Sequence, residues 1–494
     1  MAKEFTREEV AKHNTLNDCW IIVNNRVYDV TNFLLEHPAG RGIIMLHAGK
    51  DCTKEFLDVH KEEYIPSFAP KAFVGIVAGS NAGGPPPRAA GAGPVDFDTE
   101  KVLIMKRDLY GPEHEAFRAK FKAFLRQEVL PQLSKFEIKG AVDGAMYKKM
   151  AENGFYLTLG IPEEHGGTGL GYKDWRFNAI ICEELENNDC GTYFVNLGND
   201  MVLSYFTKCC TPEQAKKWWP ALVRGAPIAI AMSEPEVGSD LGKLSCRAER
   251  TADGWILNGR KMWISAGAVA ELIVVSAVTD PSKGAKGISL MVVERGMEGY
   301  EVAKKFGKLG KHASDTCLLT FENVKVPKEN LVGVEGQGFI YMMQNLAKER
   351  LSIAVGSAAA ARRALALATN YVNGRASFGG VFGNMQHIQM KLAQIRGEVQ
   401  VCTTFVDRCI ADVSAGKLSA EAASMAKAYT TDLSFRVADS CLQAFGGYGY
   451  LKNSPIGKLM VDQRVVRIYG GSNEVQWEIV SKGLGFTPQR MGKL

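Results

Sequence analysis

The sequence predicts an α+β protein: a small mixed module, then a larger one ordered helices, strands, helices. Three observations carry that prediction. Residues 1–78 alternate short strand and helix patterns. Residues 79–95 hold five Gly, four Pro and four Ala in seventeen positions, the composition of a linker. Beyond them a helical periodicity over 96–221 yields to strand patterns over 222–331 and returns over 332–494.

At 494 residues the chain is too long for a single core. Hydrophobic content of 46% and charged content of 23% are those of ordinary globular proteins. A net charge of +5 is too mild to argue for nucleic acid. Residues 1–78 carry 9 Lys/Arg against 11 Asp/Glu, a net of −2, which leaves +7 for the remainder. An anionic ligand is therefore expected on the larger module. No transmembrane helix is expected, because Arg362 and Arg363 interrupt the Ala-rich stretch after Leu351. Eleven cysteines, an odd number without C-x-x-C spacing, argue for a reducing compartment, and none stands out as catalytic.

In the first module, residues 19–23 and 26–30 read as a strand pair turning at Asn24-Asn25. His37-Pro-Ala-Gly40 places a histidine at a helix-to-loop edge, and residues 54–58 form a helix just before His60. Two imidazoles from opposite walls suit one iron. The other histidines read as ordinary surface or core residues, with His47 the nearby rival ligand. Trp20-Ile-Ile-Val, Val27-Tyr-Asp-Val, His37-Pro-Ala-Gly, Ala48-Gly-Lys-Asp and His60 together resemble the cytochrome b5 family, with Ala39 where a glycine is usual. The resemblance implies His37 and His60 as axial ligands of a haem b. With no C-x-x-C-H in the chain, that haem is expected to be non-covalent.

As a flexible coil the linker spans about 21–25 Å, stiffened at Pro85-Pro86-Pro87. Beyond it, Phe117, Phe121, Phe124 and Leu125 mark one face of a helix over 113–129, which Pro131 should stop. The glycine-rich loop at 160–169 lacks the Lys-Ser/Thr of a P-loop. Residues 255–257, 272–276 and 288–293 read as strands, and 339–373 and 385–415 as long helices.

The chain is organised around Ala-Ile-Ala-Met-Ser-Glu-Pro-Glu-Val-Gly-Ser-Asp at 229–240 and Lys-Met-Trp-Ile-Ser-Ala at 261–266. Small apolar residues ending in Ser233 suit a strand whose terminal hydroxyl meets a polar ring edge. Glu-Pro turns the chain, and Gly238-Ser239 lets backbone N–H groups approach phosphate. Trp263 offers a flat face on an alternating strand, with Ser265 on the same side. These motifs resemble the flavin-binding signature of acyl-CoA dehydrogenases, and the similarity runs from about residue 101 to 486, with departures at Val237 and Lys243. It implies a helical domain, a β-barrel domain and a C-terminal helical bundle, with FAD near Ile230, Met232, Ser233, Gly238, Ser239, Trp263, Ile264 and Ser265. It also implies a homodimer or homotetramer in which Arg375, Phe378, Gln386, Gln443, Phe445, Gly446 and Gly447 meet the neighbouring subunit's FAD, with Ser472 and Glu474 as further cofactor contacts.

In the commonest branch of that family a catalytic glutamate stands where this chain has Gly470. Proton abstraction beside a thioester still needs a carboxylate. Glu349, in Ala347-Lys-Glu-Arg-Leu351, resembles the long-chain and isovaleryl branches, where the base sits on this helix; Glu474 is the rival. Ser239, Arg350 and Gly471 are then expected on the substrate side, and the Gly470 N–H is the candidate donor to the thioester oxygen. The expected activity is α,β-dehydrogenation of an acyl-CoA to the trans-2-enoyl thioester, with electrons passed from FAD to the fused haem. The alternatives are an oxidase using O2, or a haem carrier with an inactive flavin domain. A cytochrome, an electron-transfer flavoprotein or O2 is the external acceptor expected. The ending Gly492-Lys-Leu494 resembles the peroxisomal Ser-Lys-Leu address, so peroxisomal or cytosolic residence is expected.

Overall fold

The computed structural model describes residues 3–34, 41–57, 65, 69, 71–80, 99–191, 195–377, 379–452 and 454–486, and it divides into two compact units between residues 97 and 98. His37, His60 and Phe378, most of the expected linker and the terminal Gly-Lys-Leu lie outside the described residues.

In the first unit the described elements are β1 (Glu4–Phe5), α1 (Arg7–Val10), β2 (Asn14–Thr15), β3 (Asp18–Val23), β4 (Arg26–Asp29), α2 (Arg41–Met45), α3 (Thr53–Leu57) and β5 (Phe73–Val77). The sheet runs β1-β5-β4-β3-β2. Asn24 and Asn25, at φ 50° and 58°, make the two-residue turn between β3 and β4, a conformation asparagine tolerates. Cys19, Ile21 and Val23 face one core with Tyr28 and Leu34, while Ile22 faces another with Phe5, Val10 and Val77. The period of two thus buries both faces of β3.

The second unit opens with α4 (Pro112–Phe124), which buries Phe117, Phe121 and Phe124. Pro131 does not stop the path as expected. Residues 125–129 widen into a π turn, 130–132 tighten into a 3-10 turn, and α5 (Leu133–Lys139) continues to Gly140 at φ 65°. Proline is tolerated at the start of that 3-10 turn, where its missing N–H has no intrahelical partner to lose. There follow α6 (Gly144–Glu152), α7 (Leu170–Lys173), α8 (Arg176–Asn187), a π-helical segment (Leu197–Val202), α9 (Leu203–Lys208) and α10 (Pro212–Val223).

The strands are β6 (Ile228–Ala231), β7 (Arg247–Arg250), β8 (Gly254–Ser265), β9 (Leu272–Val278), β10 (Ile288–Glu294), β11 (Tyr300–Lys305), β12 (Thr316–Pro327) and β13 (Leu331–Val332). Their order is β11-β12-β8-β7-β9-β10-β13, with β6 parallel to β9. Among the described pairings β11 and β13 form the two ends of the path, and these strands make the sheet domain expected between two helical ones.

The helical layer comprises α11 (Gly338–Gly374), α12 (Gln386–Ser414), α13 (Ala420–Phe445), α14 (Pro455–Val465) and α15 (Asn473–Lys482). Helix α11 is long and apolar enough to cross a membrane, but 89% of its apolar window is buried against α8, α12 and α13, which makes it a core helix. Arg362 and Arg363, which break its apolar run, are buried too. Arg362 lies 3.4 Å from the Glu183 carboxylate, which Arg107 and Arg118 also hold, and Arg363 donates to the Glu186 carbonyl at 2.7 Å. Paired charges of this kind tie α8 to α11.

Candidate active site

Strand β6 delivers Met232 and Ser233 to the edge of the sheet, where the Met262 N–H donates to the Ser233 carbonyl at 2.9 Å and fastens the segment to β8. Residues 234–237 then turn, closed by two backbone hydrogen bonds between Glu234 and Val237 at 2.8 and 3.1 Å. A wholly buried ion pair that sequence reasoning missed supports this turn. Lys261 Nζ donates to Glu234 Oε1 and to the Met232 carbonyl, both at 2.9 Å, and to Ser276 Oγ at 3.2 Å. The Ser245 N–H and hydroxyl donate to Glu234 Oε2, and the Cys246 N–H donates to Oε1. Burial opposes the Glu234 charge, yet the Lys261 ammonium and these donors hold its carboxyl below the usual range.

The expected alternation along β8 breaks at Trp263. The register against β12 shifts between Lys261 and Ile264, and Trp263 takes φ 65°, a β-bulge at a bulky residue. The bulge turns Ile264 into the core and leaves Trp263 59% exposed, 4.9 Å from the Phe306 ring, with Ser265 half-buried two residues on. Ile230 is likewise buried, so Ile230 and Ile264 offer only backbone groups at the surface. Gly238 and Ser239 are exposed, and a Cβ on Gly238 would meet no atom of the chain. Lys243 is occupied by Asp240 at 2.7 Å. A presented ring, two hydroxyls and a turn with room for close backbone approach fit a flavin and its phosphates.

A second group gathers where α11 and α13 end. Arg375 donates to Tyr371 Oη at 2.9 Å, and its guanidinium lies 5.7 Å from the Tyr448 ring; Tyr371 stacks on Phe445 at 4.1 Å. Gln443, Gly446 and Gly447 are exposed beside them, both glycines with open space at Cβ, and Gln386 is exposed at the start of α12. That open, cationic and aromatic corner fits the polar half of a dinucleotide.

The third group surrounds Glu349, the expected base. Glu349 on α11 is 8% exposed, and its carboxylate makes no hydrogen bond or ion pair among the described residues. Burial raises its pKa to about 7, with Arg350 and Lys427 opposing the rise. Its Oε1 lies 3.5 Å from where a Cβ on Gly470 would stand. Glu474, the rival, is exposed in the first turn of α15, where backbone N–H and the Ser472 hydroxyl hold its carboxyl below the usual range. It has neither the burial nor the raised affinity for a proton that Glu349 has. Arg350, expected toward substrate, is buried and donates to Ser424 Oγ of α13 at 3.1 Å, which makes it a neighbour of the base.

Gly470 and Gly471, at φ 65° and 80°, form a turn whose carbonyls accept from Gln476 Nε2 at 3.2 and 3.1 Å. The Gly470 N–H has no partner among the described residues. Cradle and base lie on either side of residues 197–202, which pack on both β6 and α11. Asp200 stitches that segment to the base helix: it accepts from Ser352 Oγ at 2.7 Å and from Asn178 Nδ2 at 2.6 Å.

Helices around a sheet, with a ring-bearing bulge and a buried unpaired carboxylate, are the frame of a flavoprotein oxidoreductase. Residues 111–226, 229–324 and 336–485 match the N-terminal, middle and C-terminal domain families of acyl-CoA dehydrogenases, and residues 6–78 match the cytochrome b5-like haem/steroid binding domain. The chain is 38% identical to the long-chain specific acyl-CoA dehydrogenase of Mus musculus, over 76% of this chain and 87% of that one. It is 33% identical to the isovaleryl-CoA dehydrogenase of Oryza sativa, over 76% and 92%. A crystal structure of an acyl-CoA dehydrogenase from Geobacillus kaustophilus superposes with a TM-score of 0.74 at 38% identity, covering 77% of this chain and all of that one. The chain belongs to the acyl-CoA dehydrogenase family, as an FAD-dependent oxidoreductase with an N-terminal cytochrome b5-like domain.

Proposed function

We propose that the protein dehydrogenates an acyl-CoA to its trans-2-enoyl thioester with Glu349 as the base, and that the electrons pass on to a haem b held non-covalently by His37 and His60. The observation that carries the reading is the buried, unpaired Glu349 carboxylate beside a residue without a side chain. A base working near neutral pH needs a pKa close to that pH, and burial supplies it here. Bound FAD supplies the two-electron acceptor. Glu349 takes the α-proton, and the Gly470 N–H donates to the thioester oxygen as negative charge grows there. Ser233, Trp263 and Ser265 hold the flavin ring, and Gly238 and Ser239 take its phosphates. Arg375, Phe378, Gln386, Gln443, Phe445, Gly446 and Gly447 serve a second copy's FAD in a homodimer or homotetramer.

The matched relatives carry both long-chain and isovaleryl in their names, so a panel of acyl-CoAs is the fitting test. Anaerobic mixing of the intact protein with each thioester should bleach the flavin and then reduce the haem. Flavin bleaching with an unchanged haem means the electrons leave for an outside acceptor such as an electron-transfer flavoprotein. Rapid re-oxidation on admitting air supports the oxidase instead. No change with any thioester sinks the reading. Peroxisomal or cytosolic residence completes the proposal, and organelle fractionation tests it.

A further inference from the structure

We infer that Lys427 of α13 is a positioning residue for proton abstraction: buried beside the base, it clamps the turn at Gly470 and, together with Arg350, supplies the positive charge that Glu349 faces. The inference rests on Glu349 being the base. Lys427 is wholly buried, and its Nζ donates to the Gly471 carbonyl at 2.8 Å and to Asn473 Oδ1 at 2.9 Å. No carboxylate lies within ion-pair distance of it among the described residues. A buried ammonium with only neutral acceptors is expensive, and the low dielectric that makes it so also strengthens its field at nearby groups.

Two constraints meet on the turn. Lys427 and Gln476 both donate to the Gly471 carbonyl, and Gln476 also donates to that of Gly470. Asn473, the other acceptor of Lys427, is itself held by Thr431 Oγ1 at 3.0 Å and Asp432 Oδ1 at 3.0 Å. Together they fix consecutive left-handed glycines, and with them the direction of the Gly470 peptide. The charged and titratable groups facing Glu349 are Arg350 on its own helix, Lys427 from α13, Tyr205 from α9 and Tyr469 from the loop before Gly470. Of the two cations, Arg350 spends a guanidinium donor on Ser424, whereas Lys427 spends its donors on the turn and on Asn473. Lys427 in turn faces Asp432, Glu474, Arg350 and Glu349, and burial lowers its pKa to about 8, so it carries its charge in the range where Glu349 ionises.

Three replacements separate the roles. Lys427→Gln keeps a donor and loses the charge, Lys427→Met loses both, and Lys427→Arg keeps the charge. In anaerobic flavin reduction at saturating acyl-CoA, Gln and Met should move the midpoint of the pH profile upward by about one unit, which is a tenfold change in the ionised fraction. The rate at pH 6.5 should drop about tenfold and converge on wild type above pH 9, and Arg should restore the profile. The pH midpoint at which the protonated-carboxyl infrared band of Glu349, assigned by its loss in Glu349→Gln, disappears should shift by the same amount without substrate, and it reads out even where a variant binds flavin poorly. A profile and a band that stay put, or a rate lowered equally at every pH with the band unmoved, overturn the inference. If Glu349→Gln itself reduces flavin at the wild-type rate, the base assignment is what fails.

Discussion

Glu349 Oε1 lies 3.5 Å from the position a Cβ would occupy on Gly470, so this α11 carboxylate reaches the space that a side chain from the other loop would otherwise fill. The first occupant of that space would be Ile353, whose Cδ1 a Cβ on Gly470 would strike. Moving the glutamate back to residue 470 therefore needs room as well as a carboxylate. We expect Glu349→Gln/Gly470→Glu to stay inactive in single-turnover flavin reduction, and partial activity to return when Ile353→Ala is added. Full rescue by the double variant would show that the clash is easily relieved.

The wild-type flavin-reduction rate should fall about tenfold per unit as pH drops below about 7, because only the ionised Glu349 accepts a proton. Stability follows the opposite sign. A carboxyl whose folded-state pKa is raised contributes its stability fully below the unfolded value of 4.5 and loses it as pH rises through about 7. Thermal melts of Glu349→Gln should accordingly gain on wild type between pH 5 and 8, by up to about 3 kcal/mol. Parallel melting curves across that range would contradict the raised proton affinity.

Lys261→Met should leave Glu234 charged and unpaired in the core, costing about 3–5 kcal/mol and loosening the turn at residues 234–237. The double variant Glu234→Gln/Lys261→Met should recover much of the melting temperature. Flavin retention after gel filtration reports whether the cradle survives, and a single variant that retains flavin and melts normally would count against this support.

Much of this architecture is legible in the sequence because its signals are local. The Asn24-Asn25 turn, the strands and the two long helices follow from turn chemistry and period. Glu349 is legible through the missing side chain at Gly470, by resemblance rather than periodicity. What stayed hidden depends on contacts between distant segments. Lys261 reads as a solvated strand residue until the bulge at Trp263 and its partner Glu234, 27 residues away, are seen together. Lys427 stands in a helix of ordinary composition, and only its hydrogen bonds to Gly471 and Asn473 give it meaning. Pro131 gives a false stop because it falls at the start of a 3-10 turn, where its missing N–H costs no intrahelical bond.

Substrate should reduce the haem of the intact protein at a rate independent of protein concentration, since a short tether gives an effective concentration near millimolar. The net −2 of residues 1–78 against +7 for the remainder predicts that added salt slows this step. Cleavage near Pro86 should make it bimolecular. Equal rates for cut and intact protein at micromolar concentration would assign the haem to an outside partner.

The most direct measurement is anaerobic single-turnover flavin bleaching by an active acyl-CoA in wild type and in Glu349→Gln, with flavin content and binding of a non-reactive CoA thioether checked in both. Flavin and thioether binding should be normal, with bleaching slower by at least ~100-fold in the variant. Bleaching at the wild-type rate would contradict Glu349 as the base, and would move the search for the base first to Glu474.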